Sequence, residues 1–340
     1  MREYRLRQDL ERQVSGGYAL PLGIDIGTLS APEQGYTLAY TPGEDDEPDS
    51  YSFHVVVSHE RVKPILHRAF GLLPDKVTGI VEAGSRDAYR SIDVFLGTTE
   101  ISLEHFLESW KWYESFLLED CYIAAGANSE EPHVEVFLDQ WKGISMHVPL
   151  DMRDEVEAFL NEFGLEEVIE TWPSTEDDLA FNSARVIPVL DLVDDFSPDI
   201  DEMILELRHE WGLELNVDPD TNSDEGGREL GLTLWHALVI VDKIETMSQN
   251  DTHAAGTSDS GAYASIWATA GSLIHMQQLI EDELEQNTEW RFAEIYTIDR
   301  VAFDERPEHL TDLTLRRDQA LLHSLTIESW QESPKDVTDG

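Results

Sequence analysis

The chain has 340 residues, of which 70 are Asp or Glu and 23 are Lys or Arg, so its formal net charge at pH 7 is −47. Binding to phosphate backbones or to anionic lipids depends on Lys and Arg, and such an excess of acid repels both. The composition therefore argues against nucleic-acid binding through a basic face and against membrane binding. With 41% hydrophobic residues, the chain can still bury a core or two.

Two interpretations of the acidity stay open. The first is adaptation to a saline environment, in which dense carboxylates hold water and keep the chain in solution. The second is a binding surface that mimics nucleic acid or captures a basic partner. The acidic residues are spread along the whole chain instead of being gathered in a tail, and this distribution favours adaptation.

Cysteine usage and the chain start indicate the compartment. The single cysteine, Cys121, cannot form an intrachain disulfide, which fits a reducing environment. The first residues, MREYRLRQDLERQ, are charged and lack the apolar segment of a secretory signal. The longest apolar runs, such as 237–241, are too short to cross a bilayer. We therefore expect a soluble protein in the cytoplasm.

The first half of the chain alternates strand and helix patterns after an N-terminal arm and hairpin at 1–50. Strands are predicted where β-branched or alternating residues occur, at 51–58, 77–82, 91–96, 134–138 and 143–148. Helices are predicted where apolar residues recur at helical spacing, at 61–73, 102–120 and 151–163. Ser102 is a suitable N-cap, and Gly164 a suitable C-terminal stop.

The polar segment PSTEDD at 173–178 predicts a domain boundary. Beyond it, strands are predicted at 184–192, 230–241, 289–299 and 313–329, and helices at 199–211 and 271–286. The long polar segment 247–261 is predicted to be a mobile loop or a binding loop. The last residues, 331–340, are predicted to be a disordered tail.

The order strand–helix–strand–strand–helix–strand can be written over each half of the chain. The pattern predicts an α+β protein of two tandem ferredoxin-like or similar α/β sandwich units with mainly antiparallel sheets. The predicted domains are 51–172 and 180–330. The two halves share no residue-level repeat, so the fold prediction depends on the element order alone.

The segment VDPDTNSDEGGRE at 217–229 resembles the calcium loop of EF-hand proteins. Calcium prefers alternating oxygen ligands followed by a glutamate at the twelfth position, and this spacing is present. Ser223 stands where that family has its turn glycine. The resemblance implies a calcium site, and a solvated acidic turn is the alternative. The candidate ligands are Asp218, Asp220, Asn222, Asp224 and Glu229.

The segment LGIDIGT at 22–28 resembles the first phosphate-binding loop of the superfamily of actin, heat-shock chaperones and sugar kinases. The resemblance implies that Asp25 holds a metal ion, and that Gly27 and Thr28 let the backbone approach nucleotide phosphates. The second phosphate loop and the adenosine motif of that superfamily are missing from the sequence. A short strand that ends in a glycine turn is the structural alternative.

The helix SLEHFLESWKWYESFLLED at 102–120 is apolar around most of its circumference. Such a helix is either covered on two sides or presents one side to a partner. We favour an internal core, with a subunit or domain contact as the alternative. Cys121 follows two acidic residues at the helix end, where a thiolate is disfavoured, so a buried small side chain is expected.

The sequence carries no Walker loop, dinucleotide fingerprint, nucleophile elbow or histidine metal motif. We therefore predict a non-catalytic binding, regulatory or scaffold module that contacts another protein, or its own copies, through the 102–120 helix. No cofactor is predicted unless the 218–229 loop binds calcium. The alternatives are a metal- and phosphate-dependent enzyme that uses Asp25, and a calcium-binding module.

Overall fold

The computed structural model describes residues 3–27, 31–43, 48–171, 184–193, 197–244, 261–287, 289–311 and 319–329. The protein is mixed α+β, and its strands pair in antiparallel fashion, as the sequence predicts. The chain divides into two compact units. The first contains Met1–Gly84 and Ile92–Asn216, and the second contains Ser85–Ser91 and Val217–Gly340. Within the described ranges, no helix is both long enough and apolar enough to span a membrane.

The helices of the first unit are α1 His59–Ala69, α2 Leu103–Glu119, α3 Arg153–Glu162 and α4 Ile200–Trp211, with 3-10 turns at Phe70–Leu72 and Leu150–Met152. Its strands are β1 Val14–Ser15, β2 Tyr18–Ala19, β3 Ile24–Asp25, β4 Gly35–Thr41, β5 Ser50–Val56, β6 Lys76–Gly84, β7 Ile92–Gly97, β8 Ile101–Ser102, β9 Ile123–Ser129, β10 Val134–Leu138, β11 Ile144–Pro149, β12 Arg185–Val186 and β13 Leu213–Leu215.

The second unit contains strands β14 Thr233–Lys243, β15 Gly261–Ala270, β16 Trp290–Val301 and β17 Leu321–Ser329, and helices α5 Leu273–Glu285 and α6 Glu308–Thr311.

A nine-stranded antiparallel sheet forms the centre of the first unit, in the order β13-β7-β6-β9-β10-β11-β5-β4 with β8 on β6. Its strands alternate: Val134, Val136 and Leu138 of β10 are buried, whereas Glu135 and Phe137 between them are partly exposed. This alternation gives the sheet an apolar face on which helices pack.

Helix α2 supplies much of the core of the first unit. Ser102 caps it by accepting a hydrogen bond from the His105 N–H (3.2 Å), as predicted. Phe106, Trp110 and Tyr113 are buried in one cluster with the sheet, so the predicted internal role of this helix is confirmed.

Helix α4 also belongs to the first unit, although the sequence analysis assigns residues 199–211 to the second. Asp199 and Glu202 form a capping box, and Gly212 ends the helix with φ of 61°. Its apolar stripe, which includes Leu207 and Trp211, lies in the same core cluster as α2. The core into which this helix packs therefore places it in the first unit.

The tandem ferredoxin-like arrangement is not confirmed. In the second unit the elements run strand–strand–helix–strand–helix–strand, with the short helix α6 before the last strand, and the sheet order is β16-β14-β15-β17. Strand β15 and, in the first unit, strand β9 are not predicted from the sequence. Both strands are rich in Ala, Gly and Ser, and they lack the β-branched run on which strand prediction depends.

Three predicted features lie outside the described residues. These are the boundary at 173–178, residues 247–260 of the predicted loop, and the tail at 331–340.

Trp211 illustrates the packing of the first core. Its indole N–H donates a hydrogen bond to Ser109 Oγ of α2 (2.7 Å), and its ring centroid lies 5.0 Å from that of Phe106. A Cβ added at Gly79 of β6 would lie 2.9 Å from Trp211 Cβ, so the close approach of α4 to the sheet requires glycine there.

We expect Ser109→Ala to lower the free energy of unfolding by about 1–3 kcal/mol, because it leaves the buried indole N–H without an acceptor. In a Trp211→Phe background the same substitution should cost less, since the donor is already absent. Urea titrations of the four proteins measure this coupling. The exposed neighbour Glu108 gives the control, Glu108→Ala, and equal effects at 108 and 109 would contradict the assignment.

Candidate functional site

A cluster of ionisable side chains lies where α2 ends and β9 begins in the first unit. Four chain segments contribute to it: the N-terminal arm, the start of α1, the end of α2 with the residues that follow it, and the β10–β11 turn. We call it the ionisable cluster. Its members are Arg12, His59, Glu119, Asp120, Cys121 and Lys142.

Glu119 is the anion of the ionisable cluster. Its Oε1 accepts hydrogen bonds from Arg12 Nη2 (2.6 Å) and from His59 Nε2 (3.0 Å), and its Oε2 accepts one from the Leu22 N–H (2.9 Å). Burial alone would raise the pKa of Glu119, but the donors at His59 and Arg12 outweigh it and hold that pKa at about 2. Glu119 is therefore ionised at neutral pH.

Lys142 is the buried amine of the cluster. Its Nζ donates to the Ile123 carbonyl (2.8 Å). Burial lowers the pKa of Lys142 and raises that of Asp120, although the two charges attract each other. Lys142 has a φ of 66°, which is unusual outside glycine, within the turn that Asp139 stabilises by accepting N–H groups.

Cys121 is buried beside Lys142. Burial raises the pKa of the Cys121 thiol to about 12, although the neighbouring ammonium group opposes the shift. The expectation that Cys121 is a buried small side chain is confirmed by this placement.

The LGIDIG segment packs directly against the cluster. The Gly23 N–H donates to the Glu119 carbonyl (2.8 Å), and a Cβ at position 23 would lie 2.5 Å from that oxygen. Asp25 is exposed, and its Oδ1 accepts a hydrogen bond from Gln13 Nε2 (2.8 Å). Thr28 lies outside the described residues. Close backbone packing thus explains the glycine at 23, and the phosphate-loop assignment of Asp25 and Gly27 stays a prediction.

The acidic loop of the second unit closes around a protein cation. Arg300 Nη1 donates to Asn222 Oδ1 (2.9 Å) and to the Ser223 carbonyl (2.7 Å). Arg300 Nε also forms a buried ion pair with Asp87 (2.7 Å). The Asn222 amide donates to Thr233 Oγ1 (2.9 Å). The guanidinium therefore uses the oxygen of Asn222 that the calcium hypothesis assigns to a metal ion.

Two carboxylates of the loop make contacts within the loop itself. Asp218 accepts a hydrogen bond from the Asp220 N–H (3.0 Å), and Asp224 forms an ion pair with Arg228 (2.9 Å). Residue 229 forms a backbone bridge with Ser223. Among the described residues, no group of three or more His, Cys, Asp or Glu side chains is placed to hold a metal ion. The calcium site stays a prediction.

The sheet of the second unit has two different faces. One face is apolar and packs against α5, whose Met276 and Ile280 are buried against Ala237, Val239 and Ile266. Because side chains alternate along a strand, the intervening residues lie on the opposite face. We call it the polar-aromatic face. It carries His236, Leu238, Ile240 and Asp242 of β14, Tyr263, Ser265, Trp267 and Thr269 of β15, Arg291, Glu294, Thr297 and Asp299 of β16, and Ser324, Thr326 and Glu328 of β17, with Arg291 in an ion pair with Asp242 (3.3 Å).

Aromatic contacts organise the polar-aromatic face. The imidazole of His236 stacks on Trp267 with 4.3 Å between ring centroids, and His236 Nε2 forms a hydrogen bond with Ser265 Oγ (2.9 Å). The Tyr263 ring lies 5.6 Å from the ring of Tyr296. Burial and the nearby His309 lower the pKa of His236, so it is neutral at pH 7. Most of these side chains remain partly exposed.

No family model, no curated protein and no solved structure matches the chain.

Sequence reasoning misses both main features of the structure. The ionisable cluster comes from four segments that are far apart in the sequence, and no local motif indicates it. The polar-aromatic face does have a signal in GAYASIWATA, residues 261–270, where Tyr263, Ser265 and Trp267 alternate with small or apolar residues. Strict alternation predicts a strand with one buried face, even when alanine replaces β-branched residues.

We expect Gly23→Ala to destabilise the protein by roughly 1–3 kcal/mol, because the new methyl group meets backbone atoms that cannot move independently. Gly27→Ala is the matched control, since no described atom lies within 4 Å of its added Cβ. Chemical denaturation of both variants tests the structural interpretation of the segment. Equal stability of the two variants would contradict it.

We expect Glu119→Gln to be less stable than the native chain, by on the order of 3 kcal/mol above about pH 5. The pKa of Glu119 is lowered in the folded state, so its contribution is present above the unfolded pKa. It is lost as the pH falls towards about 2. Urea titrations between pH 7 and pH 2.5 should show the two stabilities converging. Glu108→Gln, at an exposed site on the same helix, should show no such convergence, and a constant gap for Glu119→Gln would refute the role of its charge.

Proposed function

We propose that the protein is a non-catalytic binding module that acts through protein–protein contacts, and that the polar-aromatic face is its contact surface. The observation that supports the proposal is the row of partly exposed aromatic side chains across β14, β15 and β16. Trp267 and Tyr263 stay partly exposed although their neighbours Ala264 and Ile266 are fully buried on the other face.

Aromatic residues favour this interpretation on energetic grounds. Trp and Tyr bury large areas with few rotatable bonds, and for this reason they dominate the energetic centres of protein interfaces. Hydroxyl groups of Ser265, Thr297 and Thr326 lie between them on the same face. Hydroxyls can satisfy the polar groups of a partner, as the polar parts of an interface require.

The contacts of the ionisable cluster support a structural role over catalysis there. The Glu119 oxygens accept hydrogen bonds from Arg12, His59 and the chain at Leu22, and Lys142 donates to a backbone carbonyl. These bonds use the charged groups to join segments of the fold.

Helix α2 is a weaker contact surface than the sheet. Its exposed large apolar side chains are Leu107, 38% exposed, and Trp112, 42% exposed. They are five positions apart, about 140° around the helix axis, so they do not form one patch. For this reason we propose the second unit, and not α2, as the contact surface.

Site-specific photo-crosslinking in the cells that make the protein tests this proposal. A crosslinking amino acid at Thr326, exposed on the polar-aromatic face, should give adducts with a protein. The same group at Glu104, exposed on α2, is the matched control and should give fewer. Equal yields from the two positions, or none from Thr326, would count against the face as the contact surface.

A further inference from the structure

We infer that the partner is a basic polypeptide segment whose Arg or Lys side chains stack on Trp267 and Tyr263. This inference rests on the proposed function, because it names the chemistry that the same face recognises.

Carboxylates occupy positions on the strands beside the aromatic residues. Glu328 is the cross-strand neighbour of Tyr263, and Asp299 is the cross-strand neighbour of His236, which stacks on Trp267. Tyr263 therefore has a carboxylate on the neighbouring strand, whereas His236 lies between Asp299 and the Trp267 ring. A ring face attracts a cation, and a neighbouring carboxylate adds to that attraction.

In the same unit, two cationic side chains of the protein already lie near aromatic rings. The guanidinium of Arg300 lies 5.2 Å from the ring centroid of Tyr89 and 5.8 Å from that of Trp235, while Asp87 supplies the carboxylate. Lys243 lies 5.9 Å from the ring centroid of Trp290. A cationic side chain of a partner, placed on the polar-aromatic face, would likewise meet aromatic rings and carboxylates.

Charge disfavours two other occupants. Among the described residues of this face, the carboxylates Asp242, Glu294, Asp299 and Glu328 outnumber Arg291. A second copy docked face to face would bring two such acidic surfaces together, and a nucleic acid would bring phosphates to one of them, so both arrangements place like charges near each other. The net charge of −47 also attracts a basic partner over long distances at low salt.

Binding of a fluorescently labelled oligo-arginine peptide to the full chain, followed by anisotropy, tests the inference. Trp267→Leu should weaken binding by roughly 3- to 30-fold, because it removes the ring while keeping an apolar side chain. Trp267→Phe should retain most of the affinity. Trp112→Leu, on α2, is the matched control and should leave the affinity within about twofold of the native value, as expected for a site away from the face.

Two further variants change the charge and leave Trp267 in place, so they test the inference even if the Trp267 variants do not fold. Thr326→Lys adds a positive charge at an exposed position of the face and should weaken peptide binding. Glu104→Gln changes the net charge by the same amount on α2 and should not.

The outcomes separate the inference from the proposed function. Equal losses at the face and at the control positions would show unspecific attraction to the acidic chain and would overturn the inference. Absence of peptide binding would overturn it as well. If crosslinks from Thr326 persist in that case, the face binds a partner of another chemistry, and only the inference fails.

Discussion

One partly buried carboxylate joins several segments of the first unit. Glu119 ends α2, and its two oxygens hold Arg12 of the arm, His59 at the start of α1 and the backbone at Leu22. Removing one partner of a buried charge pair typically costs about 3–5 kcal/mol, since the remaining charge stays out of water. These bonds lower the pKa of Glu119, against the effect of its burial. Gly23 packs against the same helix end, where its N–H donates to the Glu119 carbonyl (2.8 Å).

The second unit uses a cation in the corresponding role. Arg300 joins Asp87, Asn222 and the Ser223 carbonyl, and its guanidinium lies near two aromatic rings. In this way a loop rich in carboxylates is folded around an internal positive charge. The proposed recognition of a basic partner on the opposite face of the sheet would repeat the same chemistry with an external side chain.

The predictable parts of the fold are those with local signals. Ser102 and the apolar spacing of α2 define that helix, and Gly164 marks the end of α3. Strands β9 and β15 could not be predicted from β propensity, because small residues replace β-branched ones there. At Gly126 of β9 an added Cβ would lie 2.3 Å from the Val136 carbonyl, so the neighbouring strand excludes a larger side chain. The role of Asn222 depends on Arg300, which lies 78 residues away.

The second unit is not one continuous length of chain. Residues 85–91 belong to it, although they are flanked on both sides by strands of the first unit. Asp87, the carboxylate that neutralises Arg300, is part of this short piece. A fragment that begins at Val217 would bury a guanidinium without its counter-ion. During synthesis, residues 85–91 emerge more than two hundred residues before Arg300, so this part of the protein can be completed only after the strand Trp290–Val301 is made.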